Sequence, residues 1–217
     1  MKESDMFEPV KAMLIRKGFN TVVAEVWNAD VVAFNDDGEE VIVEMKKTLN
    51  FKVLEQIFAH RGNAKYMYIA IPLGKHRFNP NHRFAYFILR EYGIGLIYVP
   101  DGEVSRGLAY VEIDSAEHFV ERSIREGVQP HHYLAVGGVK SGETVTAYSM
   151  TRDKVKKYMQ EREDWVTVDE ILKQVETHWA SPKSSLAADL RATYNQNWCE
   201  WKPFGRGTVY RFKEGAE

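Results

Sequence analysis

Asp30-Val31-Val32-Ala33-Phe34-Asn35-Asp36-Asp37-Gly38-Glu39-Glu40-Val41-Ile42-Val43-Glu44-Met45-Lys46 holds two strand-like runs on either side of a turn. Residues 30–34 and 40–46 are rich in β-branched side chains, and Asn35-Asp36-Asp37-Gly38 between them is a hairpin signal. Side chains alternate along a strand, so Glu44 and Lys46 share a face with Ile42, whereas Val41, Val43 and Met45 point the other way. Asp30 opens the partner strand fourteen residues before Glu44. Two carboxylates and a lysine therefore converge where two strands run side by side. In a sheet covered by helices each uncompensated ion costs several kcal/mol, and a divalent metal is the usual compensation. The competing reading is an ordinary surface ion pair between Glu44 and Lys46 on an edge strand, with Asp30 as a turn residue.

Outward from this hairpin, residues 21–26 form a third strand-like run, preceded by a helix that Ser4 or Asp5 caps. That helix runs to about Lys17, with Phe7, Val10 and Leu14 on one face, Pro9 in its first turn and Gly18 as its stop. Downstream come a helix over 51–60, a strand over 65–71, a polar loop over 74–82 and a helix over 83–91. A buried strand over 93–99 then closes at Pro100-Asp101-Gly102. The order predicts a mixed α/β sheet with helices on its faces, within a domain of residues 1–115. Residues 116–150 read as a connector, containing Gln129-Pro130-His131-His132 and a glycine-rich stretch over 137–144. In the third segment, 151–217, helices are expected over 151–160 and 167–179, the latter with Val168, Ile171, Leu172 and Val175 inward. A further helix starts at Ser181-Pro182, with Leu186, Leu190 and Tyr194 inward. Two strand-like arms over 198–212 come last, around Pro203-Phe204-Gly205-Arg206-Gly207. Three helices and a terminal hairpin describe a winged helix.

Composition narrows the class. Among 217 residues, eleven Phe, eleven Tyr and five Trp, with 28% charged residues, argue for a chain with a real core instead of extended disorder. The lone Cys199 excludes a disulfide framework and a thiolate-rich zinc site, and it fits a reducing cytoplasm. No apolar run is long enough for a membrane helix, and Met1-Lys2-Glu3-Ser4-Asp5 is too acidic for a signal peptide, so a soluble protein is expected. The net charge of -2 argues against a polyanionic partner, but it hides a division. Residues 1–45 carry four Lys/Arg against ten Asp/Glu, and residues 46–90 carry nine Lys/Arg against Glu55 alone. Acid followed at once by base calls for a reason.

The residues also resemble a known family. A helix bearing a glutamate (Glu8, with Glu3 as competitor), a strand at Asp30, Glu44-x-Lys46 and a helix with Gln56 resemble the PD-(D/E)XK phosphodiesterase superfamily. Residues 4–14, with Gln56, Arg61 and Tyr68-Ile69-Ala70-Ile71-Pro72, look more narrowly like an uncharacterised bacterial subfamily of nucleases of that fold. The resemblance spans about residues 4–100 and, more loosely, 146–212; Ala29 stands where the motif's name has proline. It implies a restriction-endonuclease-like mixed sheet flanked by helices, followed by the winged helix, and a Mg²⁺-dependent nuclease, with Mn²⁺ as substitute. Asp30, Glu44, the Met45 carbonyl and Glu8 would hold the metal, Lys46 would act on the attacking water, and Gln56 would support Lys46 or the phosphate. Lys47, Lys52, Arg61, Lys65, Lys75, Arg77 and Arg83 would line the path of the backbone of DNA, duplex by preference. On the winged helix, Lys183, Ser184, Ser185, Arg191, Lys202 and Arg206 would contact phosphates, in a stretch (181–213) with six Lys/Arg against two acids. A catalytically inactive DNA-binding protein and an RNA-directed nuclease are the alternatives, and the sequence leaves monomer or homodimer open.

Two other motifs carry less. Residues 137–144 have the glycine spacing of a phosphate-binding loop, but Glu143 stands where the lysine must be, so a turn is expected. His76, His82, His131 and His132 lack metal-ligand spacing and read as loop histidines, although Lys75-His76-Arg77 with His82-Arg83 could grip phosphates.

Overall fold

The hairpin forms as its sequence requires: Glu40 pairs with Phe34, and Gly38 supplies the left-handed turn (φ +81°) while Asn35 Oδ1 accepts from the Glu39 amide at 2.7 Å. The computed structural model describes residues 1–74, 82–100, 108–139 and 144–213, so Lys75, His76, Arg77, Asp101, Gly102 and Glu143 lie outside the described residues. The chain divides into two compact units, Met1–Val145 and Thr146–Glu217.

In the first unit, α1 (Phe7–Arg16) leads into an antiparallel meander of β1 (Thr21–Val26), β2 (Ala29–Phe34) and β3 (Glu40–Met45). Helix α2 (Phe51–Ala59) crosses to β4 (Tyr66–Leu73), parallel to β3, and α3 (Arg83–Glu91) crosses to β5 (Gly95–Pro100), parallel to β4. A strand absent from the sequence expectations, β6 (Tyr110–Ile113), closes a six-stranded mixed sheet in simple order β1 to β6. On one face Val32, Phe34, Ile42, Ile69 and Leu96 pack under Val53 and Ile57 of α2 and Leu89 of α3. On the other, Val31, Ala33, Val41, Val43 and Met45 pack under Phe7, Val10, Met13 and Leu14 of α1. Every residue of β3 is buried, so its two glutamates are core residues and the edge-strand reading of Glu44 fails.

Two further expectations fail in this unit. Neither Ser4 nor Asp5 caps α1 through its side chain; Ser4–Met6 form a 3₁₀ turn that runs directly into the helix. The described part of 116–145 is no connector but a strap bound to the sheet. The His118 and Glu121 amides donate to the Lys65 and Gly62 carbonyls (both 2.8 Å), and Ile124 is fully buried in the core under α2, worth about 1.5–3 kcal/mol. The strap passes over the Trp27 ring at Gly127, where an added Cβ would lie 2.4 Å from the indole nitrogen. Sequence periodicity misses it because the strap has neither helical nor strand period.

The second unit has α4 (Ala147–Arg162), β7 (Val166–Thr167), α5 (Val168–Gln174), α6 (Pro182–Arg191) and the hairpin β8 (Cys199–Phe204) to β9 (Gly207–Phe212); β7 adds to the hairpin in the order β7-β9-β8. Capping boxes at Thr146 and Thr167 start α4 and α5. Val155, Met159, Ile171, Leu186, Leu190, Trp198 and Tyr210 form its core. Tyr194 is not inward: α6 ends at Arg191, so the helical period that would bury Tyr194 stops short, and the ring is 65% exposed with its hydroxyl donating to buried Asp189 at 3.0 Å. Burial pushes the Cys199 thiol up to about 12, which keeps it inert. Among the described residues, no helix is long and apolar enough to cross a membrane.

Candidate active site

Strand register brings the acids together. The β2–β3 ladder pairs Val31 with Val43 and Val32 with Ile42, and one further step sets Asp30 across from Glu44. The β1–β2 ladder pairs Ala24 with Val31 and Val26 with Ala29, which sets Glu25 across from Asp30. Glu25, Asp30 and Glu44 thus form a row across three adjacent strands. Trp27 and Asn28 both have positive φ (48° and 67°), as the tight β1–β2 turn requires. Glu25 itself has φ 62°, a left-handed conformation that costs a non-glycine residue about 1–2 kcal/mol and that clusters at functional sites.

The carboxylates are far from solvent, Asp30 8% and Glu44 1% exposed. Asp30 Oδ2 accepts from the Met45 amide at 2.7 Å. Burial first, and the Glu44 charge second, push the Asp30 pKa up to about 7 despite that bond. Burial likewise raises Glu25, against the Gly138 amide that donates to its Oε1 at 3.0 Å. Glu44 Oε1 lies 3.1 Å from His60 Nε2, and with Glu44 as carboxylate the imidazole is the donor. Glu44 Oε2 is buried without any partner, and so is Gln56 Oε1. Both residues line one cavity of about 320 Å³ with Trp27, Asn28, Ala59, His60 and Asn63.

Lys46 lies just past β3 and its Nζ donates to Glu3 Oε2 at 3.0 Å. Burial pulls its pKa down, but the Glu3 bond and the charges of Asp30 and Glu44 outweigh this and hold it above the ordinary value. Lys46 is therefore a firmly held cation. Glu3, not Glu8, is the acid of the N-terminal region that reaches the constellation; Glu8 is exposed on α1. Gly137 and Gly138 of the strap lie on the site as well. A Cβ on Gly137 would stand 2.1 Å from the Asp30 carbonyl oxygen, and one on Gly138 3.0 Å from Glu3.

A hard divalent cation fits this donor set. Mg²⁺ is held by one or two carboxylates while keeping several waters, and two orphaned acceptor oxygens beside one cavity are what a hydrated cation satisfies. Glu44 would supply one carboxylate from the cavity wall and Asp30 the other from the adjacent strand position, outside the cavity lining. Among the described residues no group of three or more His, Cys, Asp or Glu side chains is placed to hold a metal ion, so protein ligands to a cation here would be two carboxylates at most, with water completing its shell.

The expected phosphate contacts divide. Lys47, Lys52, Arg61 and Arg83 are exposed. Lys65 instead holds Glu39 (2.6 Å) and Glu117 (3.1 Å), so it is structural. In the second unit Lys183 pairs with Asp169 at 2.7 Å and Lys202 sits 4.0 Å over the Trp165 ring. Arg191 donates to the Ala187 carbonyl and Ser184 to that of Ser181, and Ser185 is half-buried. Arg206 is exposed in the hairpin turn. His132 is no ligand: it accepts from the Gln129 amide at 2.9 Å, and burial, then His131, push it down to about 4. His82 precedes α3 and packs on Tyr86.

Sequence reasoning misses Glu25 and His60. Counting across the Trp27-Asn28 turn finds the first, and His60, one helical turn after Gln56, shares its side of the α2 region.

No family model matches the sequence, and no curated protein does. Among solved structures, a protein of unknown function from Silicibacter pomeroyi is similar with 13% identity and a TM-score of 0.41, over 72% of this chain and 92% of that one.

Proposed function

We propose that the chain is a Mg²⁺-dependent nuclease of the PD-(D/E)XK class, hydrolysing phosphodiesters of DNA. The observation that carries this is the buried pair Asp30 and Glu44, set opposite each other on adjacent strands with Lys46 two residues beyond Glu44. Two adjacent carboxyl groups buried in a core, whose ionisation together is costly, with one oxygen left orphaned, are what a cation site would require. The order α1-β1-β2-β3-α2-β4 puts Asp30, Glu44 and Gln56 on successive elements as the resemblance implies, and this supports the same reading.

Asp30, Glu44 and the Met45 carbonyl would hold Mg²⁺, which when bound polarises the phosphate and acidifies the attacking water. Lys46, already protonated and oriented by Glu3, offsets charge on the phosphoryl oxygens in the transition state and is not the group that takes the proton. His60 fixes the rotamer of Glu44 so that Oε2 remains free, and Gln56 holds water at the cavity wall. With the second unit read as a winged helix, Arg206 and Lys202 on its hairpin grip backbone phosphates.

Purified protein incubated with supercoiled plasmid, linear duplex, single strands and RNA should cleave at least one of them with Mg²⁺ or Mn²⁺. Lys46→Ala should be slower on the order of 10²- to 10³-fold. No cleavage by the unsubstituted chain, or equal cleavage by the variant, sinks the reading and leaves a binding protein. For the hairpin, Lys202→Ala with Arg206→Ala should weaken duplex binding and lower its salt slope by about 2, one per lost phosphate contact. An unchanged slope would assign the second unit another partner.

A further inference from the structure

Helices α2 and α3 carry aromatic rings on their solvent side. Phe51 is 70% exposed, Phe84 59% and Phe87 58%, and their centroids run in a row, 6.3 Å from Phe51 to Phe84 and 6.5 Å from Phe84 to Phe87. Beside them Phe58 and Tyr92 make an edge-to-face pair at 5.6 Å, and both are exposed. Large exposed apolar patches mark interaction surfaces, and charge says which kind. Arg83 and Arg90 lie four residues before and three after Phe87, on its side of α3. Lys52 adjoins Phe51, and the Arg61 guanidinium lies 5.7 Å over the Phe58 ring. None of these four cations pairs with a carboxylate among the described residues. Only Glu55 and Glu91 on the two helices oppose them.

We propose that this aromatic row is a stacking platform for unpaired bases, so that the substrate is single-stranded nucleic acid or a duplex with a single-stranded part. Cations interleaved with exposed rings are what a single strand requires, because phosphates take the charge while every base offers a face for stacking. A closed duplex hides those faces. A second copy of this chain fits worse, since a two-fold contact would set the same cations against each other. The opposite side of α2 bears Val53 and Ile57 on the sheet, and the same helix, with His60 after it, carries Gln56 to the Glu44 cavity, so the platform and the candidate active site share one helix. The inference deepens the nuclease reading and rests on it only for the cleavage step after binding.

The test is fluorescence anisotropy of a labelled oligothymidine and of a blunt duplex of equal length, in EDTA, at low and moderate salt, with light scattering on the same protein. Wild type should bind the single strand more tightly than the duplex. Phe84→Ala with Phe87→Ala should weaken single-strand binding on the order of tenfold or more and leave the duplex unchanged. The corresponding Tyr pair, which keeps the stacking faces, should retain binding, and a Leu pair should not. Equal loss on both ligands, or full binding by the Leu pair, overturns the proposal. So does a wild-type dimer that the Ala pair dissociates, which would make the patch an interface between copies. Because metal is absent, single-strand binding without later cleavage sinks only the nuclease reading, and cleavage without single-strand preference sinks only this one.

Discussion

Asp30→Asn should make the protein more stable and less active at the same time. In the folded chain burial and Glu44 raise the Asp30 pKa from 3.8 to about 7. Between those values the folded state binds more protons than the unfolded one, so stability falls as pH rises from about 4 to about 7 and stays reduced above that. A shift of this size corresponds to a gain on the order of 4 kcal/mol at neutral pH when the charge is removed. Asparagine keeps an oxygen for the Met45 amide, now 2.7 Å from Asp30 Oδ2, so the hydrogen bond survives. Chemical denaturation across this pH range should show wild type losing stability and Asp30→Asn holding it, the two curves meeting near pH 4. Mg²⁺ should raise the Tm of wild type and leave that of the variant alone, because ligand binding to the folded state alone stabilises it. Cleavage by the variant should drop by at least about 10²-fold. A variant as active as wild type, or one less stable at neutral pH, would mean that Asp30 is structural.

How much of this is legible in the sequence depends on the kind of signal. The meander, α2, β4 and β5 are readable because each carries its own period and stop, from Gly38 in the hairpin turn to Asn50 capping α2 with its side chain. Asp30, Glu44 and Lys46 are readable because strand alternation is local. The partners of those residues are not local. Glu3 meets Lys46 across 43 positions, and Gly138 meets Glu25 across 113. The strap that brings Gly138 there has no periodicity, so residues that close the site look like a linker. Tyr194 fails for the opposite reason: its helical spacing from Leu190 is correct, but the helix ends first. Glu8 fails because two glutamates flank the start of one helix, and only the 3₁₀ turn at Ser4–Met6 decides which of them reaches Lys46.

Gly137→Ala should loosen the site without touching any of its charges. The added Cβ would stand 2.1 Å from the Asp30 carbonyl oxygen and 2.9 Å from its carbon, both backbone atoms of a central strand. β2 is held by ladders on both sides and cannot give way, so the strap must lift. Lifting removes the Gly138 amide from Glu25 Oε1, now 3.0 Å away. Glu25 then loses the donor that opposes its desolvation, and the repulsion along the acidic row grows. Overpacking against backbone should cost about 3 kcal/mol, and the Mg²⁺-induced rise in Tm should change together with cleavage. Gly18→Ala is the control. Gly18, just after α1, has φ +93° with nothing within 4 Å, so its substitution carries only the left-handed backbone cost of about 1–2 kcal/mol. It should leave metal response and cleavage as they are. If Gly137→Ala lowers stability but the metal response and cleavage match wild type, the strap is a structural belt, and the site owes its geometry to the sheet alone.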